Sequence, residues 1–82
     1  MRFLKTADGV YLNITQIGSL YPNTYGSQKA DILAHMVDAK SEILVCDNFP
    51  DKDAAQRYLR RIVSALTDTE KKVIEVKNYE TD

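Results

Sequence analysis

The sequence predicts an α+β domain: a four- or five-stranded antiparallel sheet with one amphipathic C-terminal helix packed on one face. Three observations lead there. Residues 2–20 and 31–47 each read as a hairpin-like run of β-forming residues, and residues 51–66 carry an apolar stripe at helical spacing. The length of 82 residues leaves room for one core, and a domain this small buries only about 60% of its unfolded surface. Such a chain is expected to lean on a partner subunit for part of its stability.

Strands are expected at about 2–6, 9–14, 17–21, 31–37 and 42–47, a helix at about 51–66, an extra strand at 72–77 and a frayed tail at 78–82. Phe3, Leu4 and Lys5 open the first strand. Ala7-Asp8-Gly9 supplies the turn, because Gly tolerates positive φ and Asp bonds its own backbone. In the second strand Val10, Leu12 and Ile14 share one face, with Tyr11 and Asn13 on the other. Asn13-Ile14-Thr15-Gln16 predicts a short turn in which the Asn side chain accepts a backbone N–H. An extended path resumes over 17–21, and Pro22-Asn23-Thr24-Tyr25-Gly26-Ser27 reads as a loop.

The second hairpin is apolar on both faces. Ile32, Ala34 and Met36 alternate with Leu33, His35 and Val37, and after a turn around 38–41 Ile43 and Val45 alternate with Leu44 and Cys46. The first set is expected to meet the helix. Asp51 follows Pro50 as the helix N-cap, and Asp53 places negative charge at the positive end of the dipole. Ala55, Tyr58, Leu59, Ile62, Val63 and Leu66 form the apolar stripe, with Lys52, Gln56, Arg57, Arg60 and Arg61 between them. Val10, Leu12 and Ile14 are expected to pack with Ala55, Leu59 and Ile62 in one core. Beyond the helix, Thr67-Asp68-Thr69-Glu70 has the form of a capping box for a second helix, whereas Val73-Ile74-Glu75-Val76-Lys77 is β-branched and alternating, and a strand is expected there.

The run Thr6-Ala7-Asp8-Gly9-Val10-Tyr11-Leu12-Asn13-Ile14-Thr15-Gln16-Ile17-Gly18-Ser19-Leu20 resembles the opening of the small FlbD-type proteins associated with flagella and swarming motility. The shared features are a strand, a D/N-G turn and an LN-led stretch of turn and core residues. The resemblance implies a second hairpin and a short C-terminal helix, which residues 30–66 supply, and it implies no catalytic residues. The segments at 22–29 and after Thr67 depart from that pattern.

Charge and composition narrow the function. Eleven Lys and Arg against twelve Asp and Glu leave a formal charge of −1, so no global field holds a polyanion or an anionic membrane. Cys46 is the only cysteine, which excludes an intramolecular disulfide and fits a reducing compartment. The first residues lack the apolar run of a signal peptide, and no stretch approaches the roughly 20 apolar residues of a membrane span, so a cytoplasmic location is expected. Asn13-Ile14-Thr15 has the form of a glycosylation triplet, without consequence in that location.

Each chemically suggestive residue reads as structural. His35 is the only histidine, too few ligands for a metal, and predicts a strand histidine at the surface or an interface. Cys46 reads as a small strand hydrophobe rather than a nucleophile based by His35, since no cationic cluster is placed to stabilise a thiolate. Asp47, Asp51 and Asp53 lack the Gly and terminal Glu of a calcium loop, and Gly9, Gly18 and Gly26 form no phosphate-binding spacing. No cofactor, metal, small-molecule substrate or enzyme activity is expected.

The leading expectation is therefore a non-enzymatic interaction or regulatory module that acts through the sheet face opposite the helix, on itself as a homodimer or on another protein. Leu33, His35, Val37, Leu44 and Cys46 would form that face. The alternative is a small nucleic-acid-binding regulator. Arg57, Arg60 and Arg61 share a helix flank at i, i+3 and i+4, the one arrangement in the chain suited to phosphate.

Overall fold

The first reversal follows from Asp8-Gly9. In the computed structural model, which describes residues 1–26, 28–38 and 41–80, Gly9 sits at φ 88° and its N–H donates to the Thr6 carbonyl at 2.9 Å. Thr6 is buried, and its hydroxyl oxygen accepts from the Val10 N–H at 3.0 Å, so the one polar core residue among those described is satisfied within its own turn. This turn folds β1 (Phe3–Lys5) onto β2 (Tyr11–Asn13), with Leu4 opposite Leu12. Asn13 Oδ1 then accepts from the Thr15 N–H at 3.0 Å and starts the single 3₁₀ turn Ile14–Gln16 that leads into β3.

β3 (Ile17–Tyr25), β4 (Lys29–Met36) and β5 (Glu42–Phe49) form an antiparallel meander. After β5, Asp51 caps α1 (Lys52–Leu66), its carboxylate accepting from the Ala54 N–H at 2.8 Å. Ala54, Ala55, Leu59 and Ile62 form the buried stripe of the helix, which packs chiefly on β3 and β4. Arg2 ties the end of the helix to the N-terminus. Its guanidinium donates to the carbonyls of Leu66, Asp68 and Lys71 at 3.1, 2.7 and 2.9 Å, satisfying the helix C-terminus. No second helix starts at 67–70. The chain passes instead into β6 (Val73–Glu75), which lies parallel to β1 with Ile74 opposite Leu4.

The expectation of one four- or five-stranded antiparallel sheet is thus corrected to two three-stranded sheets in an α+β fold with one helix, ordered β2-β1-β6 and β3-β4-β5. The reason is non-local. A short C-terminal strand returns to the N-terminus and pairs in parallel, which hairpin signals between sequence neighbours do not reveal. The two sheets are joined where the Ala7 N–H donates to the Val45 carbonyl at 2.8 Å.

Three more differences have local causes. β3 runs through the segment expected to be a loop, because an edge strand tolerates Pro22, and the reversal begins only at Gly26, at φ 63°. Val10 is 48% exposed: both its backbone groups are held in the turn by Thr6, and of the expected trio Leu12 alone is fully buried, with Ile14 packed partly against the core. The expected tail is held down through Tyr79, whose N–H donates to the Asp47 carbonyl at 2.9 Å, while the Asp47 N–H donates to Asn78 Oδ1 at 2.7 Å. The last two residues of that expected tail, like part of the turn expected around 38–41, lie outside the described residues.

Leu4, Leu12, Ile32, Val45, Phe49, Leu59, Ile62, Ile74 and Val76 meet in one core between the helix and the two sheets. Register shifts in the β4–β5 ladder set Phe49 opposite Ala30, Cys46 opposite Ile32 and Leu44 opposite Leu33. β5 therefore carries extra residues at two bulges, one of which holds Asn48 at φ 77°, a conformation Asn tolerates better than most residues.

Candidate functional site: the open face of the β3–β4–β5 sheet

Strand alternation divides this sheet cleanly. Ala30, Ile32 and Ala34 of β4 are buried toward the helix, while Asp31 and Leu33 are half-buried and His35 exposed on the other face. Cross-strand register then assembles that second face. Tyr21, Leu33 and Leu44 make a row across all three strands; Ser19, His35 and Glu42 make a second; Asn23 and Asp31 extend a third. Tyr25 and Lys29 close its far end, where the Tyr25 hydroxyl donates to Asp47 Oδ1 at 2.7 Å.

Of the five residues expected on this face, Leu33, His35 and Leu44 lie on it. Cys46 does not. The β5 bulge turns it inward beside Ile32, where it is fully buried, and burial pushes its thiol up to about 12, with Asp47 and Asp31 adding to the effect. A thiol in that state is no nucleophile at neutral pH. Val37 lies just beyond the ladder, 61% exposed, with its N–H donating to the Gln16 carbonyl at 2.7 Å and its side chain beside Gly18.

Tyr21, Asn23, Tyr25, Asp31 and Asp47 belong to this face without having been expected there. The period-two series Ser19, Tyr21, Asn23 and Tyr25 is the signal that could have found the first three, once Pro22 is allowed in an edge strand.

The face is acidic. The Glu42 carboxylate, chiefly by hydrogen bonding, pushes the Tyr21 phenol up to about 12, and Asp47 does the same to Tyr25. Both phenols stay protonated donors across the physiological range. Asp31 lies among them with its Oδ1 shielded from solvent and without a hydrogen-bond partner among the described residues. Burial raises its pKa first and the Asp47 charge adds to this, while the neighbouring Asn23 side chain acts in the lowering direction.

A raised native pKa means that the folded chain holds this proton more tightly than the unfolded chain, so Asp31's contribution favours folding in acid. It is lost as pH rises from the ordinary 3.8 through the higher native value. Asp31→Asn is accordingly expected to stabilise the protein at pH 7, by less than about 1 kcal/mol at so partly solvated a site, and to lose that advantage below about pH 3. Thermal melts of both proteins at the two pH values check this; a variant less stable than the parent at pH 7 would show that the ionised carboxylate is favourable.

The arginine flank is divided by the structure. Arg57 and Arg61 line a cleft between α1 and residues 77–80, together with Lys77, whereas Arg60 is exposed and lies outside that lining. The Arg61 guanidinium lies 5.8 Å from the Tyr58 ring centre. Among the described residues the one ion pair is Lys5–Glu75 at 3.0 Å, so none of the three arginines is neutralised by a paired carboxylate. Among the same residues no group of three or more His, Cys, Asp or Glu side chains is arranged to hold a metal ion, and no helix is long and apolar enough to cross a membrane.

No protein-family model, curated protein or solved structure matches the chain.

Proposed function

We propose that this protein is a non-enzymatic interaction module that takes a basic, partly apolar segment of a protein partner onto the open β3–β4–β5 face. The observation that carries the reading is the set of carboxylates, Asp31, Glu42 and Asp47, around an apolar centre on this face. A Lys or Arg of a partner would pair with the exposed Glu42 or the half-buried Asp47, and Tyr21, Leu33 and Leu44 would supply the desolvated centre around which such contacts gain strength. Charge decides between partners. A second copy presenting the same face would bring Asp31, Glu42 and Asp47 toward their own mates, with Lys29 the one lysine among the described residues of that face, so at neutral pH a basic partner fits better than self-pairing.

Titration of the isotope-labelled protein with Lys- and Arg-containing peptides of extended, alternating sequence tests this. Amide shifts should concentrate at Tyr21, Leu33, Asp31 and Leu44, and Leu44→Arg should weaken binding about tenfold or more while the protein stays folded. Shifts confined to other surfaces would end the proposal. Light scattering over a concentration series tests the homodimer directly: a dimer that Leu44→Arg dissolves would make the second copy the partner.

Nucleic-acid binding through Arg57, Arg60 and Arg61 is the second reading, favoured by the absence of paired carboxylates around them among the described residues. It demands retention on DNA or RNA that weakens steeply with salt.

A further inference from the structure

We propose that the cleft between α1 and the segment after β6 binds a compact phosphate-bearing ligand of mononucleotide size, phosphate on Arg57, Arg61 and Lys77 and a planar group against the tyrosines. This site is separate from the open sheet face and does not depend on its role. The cleft is an open groove of about 440 Å³, a volume within the roughly 300–1,000 Å³ usual for small-molecule sites. Its charge is one-sided: among the described residues three cationic side chains line it against Glu80, in a chain whose formal charge is −1.

Arg57 and Arg61 stand one turn apart on the same helix flank, where like charges repel, and neither has a carboxylate partner among the described residues. Two guanidinium forks and an ammonium suit a phosphomonoester, which carries about −1.5 to −2 charge near neutrality and offers three acceptor oxygens. A carboxylate, with a single charge, would leave two of the three cations unmatched.

The rest of the lining is aromatic. Phe49 forms the floor, with the Tyr58 ring centre 5.6 Å and the Tyr79 ring centre 5.7 Å away. The walls are held in place without a ligand. The Lys77 N–H donates to the Tyr58 hydroxyl oxygen at 3.0 Å, and the Asn48 side-chain amide donates to the Tyr79 carbonyl at 3.1 Å. A site whose walls are already ordered loses less entropy on binding.

Two features favour a single nucleotide over a polymer. Glu80 sits in the lining, where it would repel a following phosphate and can accept from a sugar hydroxyl or base amine. Arg60, which a longer strand would need, lies outside the cleft. Three cations supply too few phosphate contacts to hold a polyanion against physiological salt.

Titration of the full chain with adenosine monophosphate, inorganic phosphate, adenosine and a single-stranded dodecamer, followed by amide shifts and calorimetry, tests the proposal. The nucleotide is expected to bind more tightly than phosphate or adenosine, and to shift Arg57, Tyr58, Arg61 and residues 77–79. Arg57→Gln with Arg61→Gln should weaken it at least tenfold with an unchanged melting temperature, since both side chains are exposed. Three results overturn the proposal: no saturable nucleotide binding at millimolar concentration, equal binding by adenosine, or a preference for the dodecamer that Arg60→Gln removes.

Discussion

Phe49→Ala is expected to lower stability by about 3–5 kcal/mol, a large share of the margin of any small domain. Phe49 is the largest of the fully buried side chains, 1% exposed, and three parts of the chain meet on it. It lies opposite Ala30 at the end of the β4–β5 ladder, with Tyr58 of the helix and Tyr79 of the C-terminal segment against its ring. Ala30 is itself fully buried and too small to fill the void, and the backbone on either side is fixed by the Asn48 bulge and the Asp51 cap. The cavity would persist, so the cost should fall in the upper part of the aromatic range. At roughly 4–8 °C per kcal/mol the melting temperature should drop by tens of degrees. Val63→Ala, at a helix position 48% exposed, provides the contrast and should change the melt little. Equal melts for the two variants would place the core elsewhere.

The features legible in the sequence are local. The Asp8-Gly9 reversal, the Asn13 turn and the Asp51 cap each rest on a side chain or a glycine acting on backbone a few residues away, and the helix follows from its own period. The features that were not legible depend on partners distant in the chain. Strict alternation assigns Cys46 to the outer face, but bulges in β5 carry it inward, and nothing in Val45-Cys46-Asp47 announces an extra residue. Pro22 suggests a loop until β3 is known to be an edge strand. The acidic side of the open face is hidden for the same reason. Tyr25, Asp31 and Asp47 converge only through the full length of β3 and the displaced register of β5, and Lys77 joins Arg57 and Arg61 only through the return of the C-terminus.

Ending the chain after Lys72 is expected to abolish cooperative folding altogether, although the removed segment begins beyond the helix and contains a strand of only three residues. The loss begins at Leu4, the fully buried centre of β1, which pairs with Ile74 on one side and Leu12 on the other. Without β6 it becomes part of an open edge. Ile74 and Val76, 5% and 3% exposed, leave the core together, worth about 1.5–3 kcal/mol each by burial alone. The Val76 N–H that donates to the Lys5 carbonyl at 3.1 Å goes with them, and so does Tyr79, which covers Phe49 and bonds the backbone of Asp47. These losses share the same core and cannot be relieved separately, and their sum approaches the whole stability of a domain this size. Far-UV circular dichroism with thermal melting, and the spread of amide resonances, would register the outcome. A truncated chain that still melted cooperatively within a few degrees of the parent would make β6 an appendage. Ile74→Asp repeats the test within the intact chain, since an unpaired carboxylate placed against Leu4 should unfold the protein wherever that strand is part of the core.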